Sequence, residues 1–167
     1  MADLYSSLGE AERAIAIFND LMANSDDPHE RVSIGIRIAR LYQRDMTDEV
    51  SASRVLDEVL QIDPNNRDAL SLQVDLCTQG GLYDRLAEVL AHLFSLAPTP
   101  DEKVALALQV ARVQEEQLED GAEAFAWYRQ ALDLQPAFDE ATAAALERVD
   151  GEHNLYPDLL SVYDRLV

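Results

Sequence analysis

The sequence has little of several features on which other classes of protein depend. It contains one cysteine, Cys77, so no internal disulfide can form and folding does not require an oxidising compartment. Six glycines and six prolines among 167 residues, with 48% apolar residues, indicate a globular chain. No uncharged apolar run reaches about 18 residues, so no membrane-spanning segment is predicted. The N-terminus lacks the basic and apolar regions of a signal peptide. We expect a cytoplasmic protein, or an excerpt of a longer one.

Positive charge is also scarce. Thirty-two acidic residues face thirteen basic ones, of which Lys103 is the single lysine, and the formal net charge is −19. Nucleic-acid affinity depends on neutralising phosphates with lysine and arginine, so no nucleic-acid partner is predicted. Anionic membrane surfaces are disfavoured for the same reason. The charge serves solubility, or it steers a basic partner towards the protein.

Residues arranged for catalysis are missing as well. The three histidines, His29, His92 and His153, are far apart and have no metal-binding spacing, and no phosphate loop, dinucleotide fingerprint or GxSxG motif occurs. Acidic clusters such as "SDDPHE" and "EEQLED" lack calcium-loop spacing, and solvated helix faces and helix starts account for them. We therefore predict no enzyme, no cofactor and no metal site. An enzyme or metal-dependent protein that uses the acidic clusters is an alternative. It predicts that the melting temperature changes when calcium, magnesium or zinc is added.

What the sequence does contain is an internal repeat. Residues 28–70 align without a gap on residues 100–142, a shift of 72 positions, and the matched pairs include Pro28 with Pro100, Asp48 with Asp120, and Pro64 with Pro136. Each unit holds two helix pairs of about 34 and 38 residues. A helix pair cannot bury its apolar stripe alone, so stacked pairs with regular stops are predicted.

Helix signals support this interpretation. "DPHE" and "TPDE" each place a capping residue before proline and glutamate, and Asn66 and Asp139 follow proline stops. Gly80–Gly81 and Gly151 are predicted turn sites. No strand is predicted, because period-two runs are missing. The expected helices cover residues 10–24, 28–44, 48–62, 66–79, 82–96, 101–117, 119–134, 138–149 and 155–166, with a short helical piece before Gly9.

The stops resemble those of the tetratricopeptide repeat, a helix–turn–helix unit of about 34 residues. In "AEAFAWYRQALDLQP" the residues Ala124, Tyr128, Ala131 and Pro136 occupy that family's small, aromatic, small and proline positions. "GEAERAIAIF" resembles the same segment, with matches at Gly9, Ala14 and Phe18. The sequence departs from the family where Val59, Leu86 and Leu93 replace small residues and where the family's tryptophan is missing from the first helices.

The resemblance implies an all-α fold, a right-handed α-solenoid of antiparallel helix pairs with four to five repeats. One domain over residues 1–167 is expected, with repeats at about 1–27, 28–65, 66–99, 100–137 and 138–167. The two-pair period is similar to that of divergent arrays in very long bacterial multi-repeat proteins. The sequence opens within a partial repeat and ends directly after a helix, which suggests a segment of a longer array or a small array without capping repeats.

By analogy with that family, the expected function is a non-catalytic protein-interaction scaffold that binds a basic or amphipathic peptide or helix in its concave groove. One helical face is predicted to carry Ile34, Arg37, Leu41 and Arg44, with counterparts Leu106, Gln109, Val113 and Glu116. An ordinary amphipathic helix would show the same stripe. Lysine and asparagine, which the family uses to clamp acidic C-termini, are missing there, so a chaperone-adaptor role is not expected. Of Trp127 and Tyr128, one should pack inside a repeat. The alternative function is a structural spacer or self-assembly module.

Overall fold

The structure is a computed structural model that describes residues 2–135 and 140–153, with side chains described for residues 9–135 and 140–151. Within these ranges the chain forms helices and no strand. The α-helices are α1 (Ala2–Asn24), α2 (Pro28–Leu41), α3 (Glu49–Ile62), α4 (Arg67–Gly80), α5 (Tyr83–Leu96), α6 (Pro100–Glu116), α7 (Gly121–Leu134) and α8 (Glu140–His153), and a π-helical turn covers Tyr42–Met46. The all-α fold class is confirmed.

Most predicted helix bounds agree with the structure, and four differ. Helix α1 is continuous from Ala2, so no break precedes Gly9. The segment expected to be α-helical as far as residue 44 instead enters the π-helical turn after Leu41. Helix α7 starts at Gly121 because the preceding Glu119 is left-handed. The turn predicted at Gly151 is wrong, since that glycine lies inside α8. Pro136, Asp139 and the predicted helix 155–166 lie outside the described residues.

Side-chain caps begin five of the helices. Asp27, Asp48, Asn66, Thr99 and Asp120 each accept a hydrogen bond from a backbone N–H two or three residues onward, at 2.9 to 3.3 Å. These bonds satisfy donors that the first helical turn leaves unpaired. The hydrogen bonds from Ser51 lower the pKa of Asp48. In the "DPHE" motif, a capping box would have Glu30 accept a hydrogen bond from the backbone of the capping residue Asp27. Glu30 instead accepts a hydrogen bond from the Ser25 hydroxyl.

The two internal copies connect their paired helices in the same way. Thr47 and Glu119, which are 72 positions apart, are the two described non-glycine residues with positive φ, at 51° and 54°. In each copy the next aspartate donates its N–H to a carbonyl six residues earlier, Asp48 to Tyr42 at 2.9 Å and Asp120 to Gln114 at 2.8 Å. That aspartate then caps the following helix. The repeat found in the sequence is therefore a repeat of backbone hydrogen bonds.

The chain divides into two compact units, an N-terminal unit of residues 1–81 and a C-terminal unit of residues 82–167. In the N-terminal unit, one face of α2 packs with α3 and α4 through a buried cluster that includes Ala39, Ala52, Leu56 and Val59. A second face of α2 packs against α1 through Ile15, Ile34 and Ile38. Helix α2 is thus covered on two sides, and its polar residues lie along the remaining strip.

The core of the C-terminal unit joins α6, α7 and α8. Ala111, Ala124, Tyr128, Leu132 and Leu146 form its buried cluster. The small and aromatic positions of the resemblance, Ala124, Tyr128 and Ala131, are at most 3% exposed. Small alanines and the large ring of Tyr128 thus pack in the same buried cluster between the helices. Tyr128 is therefore the member of the Trp127–Tyr128 pair that packs inside.

Candidate functional site

The predicted face on α2 does not stay together in the structure. Ile34 is buried against α1, with 6% of its surface exposed. Arg37 and Arg44 are exposed and Leu41 is half-buried, and these three line one cavity. The positions form one helical stripe, as the spacing predicts, but the packing of α1 covers its first member.

The counterpart face on α6 does not line the cavity described for its unit. Gln109 and Glu116 are exposed, and Leu106 and Val113 are half-buried. That cavity is lined by Val110 and Gln114 of the same helix, and none of the four predicted residues belongs to its lining. The role of this face in binding a partner stays a prediction.

The N-terminal unit has a cavity between α1 and the end of α2, which we call the arginine cavity. It has a volume of about 280 Å³ and is lined by Ala14, Phe18, Arg37, Arg40, Leu41, Arg44 and Asp45. Three arginines and one aspartate thus line a hollow that also has apolar surface from Ala14, Phe18 and Leu41. Among the residues that the structure describes, none pairs with Arg37, Arg40 or Arg44 in a salt bridge.

A neighbouring cavity shares two of these arginines. It has a volume of about 390 Å³ and lies between α2 and the start of α4, and its lining includes Arg37 and Arg40 together with Asp63 and Asp68. Its charges are therefore more nearly balanced than those of the arginine cavity. Arg44 lines the arginine cavity and not this neighbour.

The C-terminal unit has the opposite charge pattern in a larger hollow, which we call the acidic cavity. It has a volume of about 510 Å³ between α5, α6 and the start of α7. Carboxylates of Asp84, Glu88, Asp120 and Glu123 line it, together with apolar surface from Ala87, Ala91, Val110, Leu118 and Trp127. Among the described residues of this unit, no lysine, arginine or histidine is part of its lining. Its chemistry is that of a surface that attracts cations and also offers apolar contact.

An aromatic pair supports the wall of the acidic cavity. The half-buried indole of Trp127 meets the ring of Phe94 edge to face, with centroids 5.3 Å apart. The ammonium group of Lys103 lies 5.7 Å from the centroid of Phe94. Trp127, which lines the cavity, is thus stabilised by its contact with Phe94.

A polar brace joins the three helices of the C-terminal core. The Tyr128 hydroxyl donates to Glu115 at 2.8 Å, and the guanidinium of Arg148 donates to the same carboxylate. Burial and the hydrogen bond to Glu115 raise the pKa of Tyr128 to about 12. The brace therefore links side chains of α6, α7 and α8, of which α6 and α7 also supply residues to the acidic cavity.

Sequence reasoning missed the acidic residues that line this cavity. Asp120 falls in "EEQLED", and both it and Glu123 are explained by the start of α7, where Asp120 accepts from the Glu123 N–H. Asp84 and Glu88 are four residues apart on α5, so they share a face. The sequence does show an acidic pair on α5 and acidic residues at the start of α7. That both groups line one cavity depends on how the helices pack, which the sequence pattern does not show.

Other candidate chemistry is not assembled in the structure. Within residues 2–135 and 140–153, no group of three or more histidine, cysteine, aspartate or glutamate side chains is placed to hold a metal ion. Cys77 is buried on α4, as expected for a small apolar residue. No helix in the described part of the chain has the length and apolar character needed to cross a membrane.

Comparison with known proteins addresses the fold. No family model matches the sequence, and no curated protein matches it. A solved structure of a MamA RS-1 ArsTM double mutant, a tetratricopeptide-like protein, is similar with a TM-score of 0.56 and 16% identity. The similarity covers 93% of this chain and 83% of that one. This chain has a tetratricopeptide-like helical repeat fold. At that level of identity the likeness concerns the fold alone.

Proposed function

We propose that the chain is a non-catalytic protein-interaction module that binds a basic, amphipathic peptide or helix in the acidic cavity. The observation that carries this proposal is the lining of that cavity, in which four carboxylates surround apolar surface and no cation lies among them. A helix with lysines or arginines beside an apolar stripe has the complementary chemistry.

The size of the cavity suits this class of ligand. About 510 Å³ is open between three helices, which is room for side chains of a bound segment. Trp127 offers a large and braced apolar face, and tryptophan is enriched among residues that dominate binding energy. The net charge of −19 adds a long-range attraction for a basic partner and speeds its approach. Helical repeat folds commonly bind proteins through such surfaces, which is support by analogy.

Binding of a basic helical peptide tests the proposal. The probe is a dye-labelled amphipathic peptide of about 15 residues with leucines on one face and lysines on the other. Fluorescence anisotropy should show binding that weakens as sodium chloride rises from about 50 to about 500 mM, because salt screens charge attraction. The paired substitution Glu88→Lys with Glu123→Lys should weaken binding about tenfold.

A matched pair of charge reversals controls for net charge. Glu58→Lys with Asp75→Lys changes the same number of exposed carboxylates in the N-terminal unit. We expect these changes to alter affinity by less than about threefold, because the charges lie outside the cavity. Equal losses in both variants would mean that only total charge matters, and the acidic cavity would not be the site. Absence of any binding would favour a structural spacer.

The predicted face on α6 is a second part of the proposal. Gln109 and Glu116 are exposed, so a long bound helix could reach them. Gln109→Arg with Glu116→Arg should weaken binding of the same basic peptide by repulsion. Unchanged affinity would remove Leu106, Gln109, Val113 and Glu116 from the binding surface.

A further inference from the structure

We propose that the arginine cavity is a second protein-binding site of opposite preference, which takes an acidic amphipathic segment. One apolar side chain of that segment sits against Phe18 and Leu41, and carboxylates on either side of it pair with Arg37, Arg40 and Arg44. This inference goes beyond the proposed function, because the site lies in the other unit and selects the opposite charge.

The concentration of positive charge is the first argument. Thirteen basic residues serve the whole 167-residue chain, and three of them line this one small cavity. Their mutual repulsion disfavours such grouping unless anions offset it, and Asp45 supplies one carboxylate to the same lining, which leaves an excess of positive charge. The described part of the chain supplies no ion-pair partner for any of the three.

The internal repeat shows that folding does not require the cluster. Arg37, Arg40 and Arg44 correspond to Gln109, Arg112 and Glu116 in the C-terminal unit. That unit builds the same helix connection and the same aspartate cap with one basic residue at these positions instead of three. The additional arginines in the N-terminal unit are therefore not needed to form the helix pair, which is consistent with a role in binding.

The two copies share the helix connection but differ in the helix type that leads into it. Arg44 lies in the π-helical turn Tyr42–Met46, whereas α6 is α-helical to Glu116 and has a wide hydrogen bond only from the Leu118 N–H to the Val113 carbonyl. A π-helical turn is uncommon and is frequently found at functional sites. Arg44 and Asp45 belong to this π-helical turn, and both line the cavity that Arg37 and Arg40 also line.

Size and chemistry indicate the class of ligand. A hollow of about 280 Å³ is smaller than the 300–1,000 Å³ that is usual for small-molecule sites, so it suits one or two side chains. Guanidinium groups bind carboxylates with two parallel hydrogen bonds, and partial cover by Phe18 and Leu41 strengthens such pairs. The net charge of −19 repels anions at long range, so the site favours a ligand with a few carboxylates and an apolar side chain over a nucleic acid, whose repulsion grows with its long run of phosphates.

An acidic peptide is the direct probe. It is a dye-labelled helix of about 15 residues, blocked at both ends, with two leucines four residues apart between glutamates. We expect binding to the intact chain that is weakened by salt. A peptide with glutamine in place of each glutamate should lose about tenfold or more in affinity. Equal binding of both peptides would overturn the proposal.

Charge reversal in the protein locates the site. Arg37→Glu with Arg44→Glu should weaken binding of the acidic peptide about tenfold or more, whereas Arg112→Glu with Arg129→Glu in the C-terminal unit should change it less than about threefold. Equal losses in the two variants, or no loss in the first, would contradict the assignment. Arg37→Gln with Arg44→Gln is the milder variant if circular dichroism shows that the reversal unfolds the chain.

Two further measurements distinguish the arginine cavity from the acidic cavity and from a self-association surface. The basic peptide that probes the acidic cavity should bind the Arg37→Glu, Arg44→Glu variant normally, so failure at one site is distinguishable from failure at the other. Sedimentation velocity gives the oligomeric state of the variant and of the unsubstituted chain. Self-association that the reversal abolishes, without any binding of the acidic peptide, would mean that a second copy occupies the cavity and would overturn the proposal.

Discussion

At the scale of the residue, Gly35 and Val59 show how closely two helices depend on each other. A methyl group added at Gly35 of α2 would clash with a methyl of Val59 on α3, and Val59 is fully buried. In the other copy the equivalent pair is Ala107 and Ala131, both also fully buried. One copy therefore places a small residue opposite a large one, and the other uses two of intermediate size.

We expect Gly35→Ala to destabilise the fold. Overpacking costs about 1–3 kcal/mol, which exceeds the gain of about 1 kcal/mol from replacing glycine in a helix. Val59→Ala should cost about 2 kcal/mol by leaving a cavity. The double variant recreates the alanine pair of the other copy, so its loss should be smaller than the sum by about 1 kcal/mol. Urea denaturation measures all three, and strict additivity would mean that the two side chains do not compete for the same space.

Thr47 and Glu119 are strained residues at equivalent positions. A left-handed conformation costs a non-glycine residue about 1–2 kcal/mol, and glycine adopts it freely. Thr47→Gly and Glu119→Gly should therefore each raise the free energy of unfolding by about 0.5–1 kcal/mol. Thr78→Gly and Glu88→Gly, inside α4 and α5, are the matched controls and should lower it by a similar amount. A loss at Thr47 or Glu119 would mean that their side chains matter more than their backbone.

At the scale of the element, the brace of Tyr128, Glu115 and Arg148 joins α6, α7 and α8. The pKa of Tyr128 is raised to about 12, so the folded protein keeps a proton that the unfolded chain releases near pH 10. The stabilisation is complete below about pH 10 and is lost as the pH rises through about 12.

Urea denaturation at about pH 9 and pH 11 checks this expectation. The free energy of unfolding should fall between the two values by up to about 1–2 kcal/mol because of Tyr128. In the Tyr128→Phe variant the free energy of unfolding should fall less between the two pH values. Tyr83→Phe, which removes the hydroxyl of a half-buried tyrosine of α5, is the control and should behave like the unsubstituted chain. An identical fall in the Tyr128→Phe variant and the unsubstituted chain would mean that the hydroxyl titrates normally.

Elements were predictable where the deciding interaction is local. An aspartate or asparagine accepts an N–H two or three residues onward, so the sequence around Asp48 and Asn66 contains the whole cap. Gly151 misled because glycine breaks a helix only weakly, and α8 continues through it. The burial of Ile34 and the meeting of Asp84 with Glu123 depend on which helices pack together. That information lies in tertiary contacts, which helical periodicity alone does not contain.

At the scale of the whole molecule, charge is distributed unevenly around a strongly acidic average. The chain carries a net charge of −19, yet the arginine cavity gathers three cations and the acidic cavity contains none. Like charges on a folded surface repel and oppose the compact state. Stability should therefore respond to ionic strength more strongly than in a protein of balanced charge.

We expect the melting temperature to rise as sodium chloride increases from about 10 to about 300 mM, because the added ions screen the repulsion among carboxylates. Replacing exposed acids by neutral amides, with Glu58→Gln, Asp75→Asn and Glu116→Gln together, should reduce the slope of this rise. Differential scanning calorimetry of both proteins gives the comparison. A melting temperature that does not change with salt would show that the repulsion is already balanced by local pairs.

The reciprocal sizes at Gly35 with Val59 and at Ala107 with Ala131 also bear on how the chain avoids folding incorrectly. Near-copies in one chain offer each helix a wrong neighbour, and misassembly is a known hazard of repeat proteins. If α3 were to dock on α6, Val59 would meet the methyl group of Ala107 in a space sized for two alanines. If α7 were to dock on α2, Ala131 would face Gly35 and leave a void. We therefore expect α3 to pack better on α2 than on α6, and α7 to pack better on α6 than on α2, because the side-chain sizes match only within each copy.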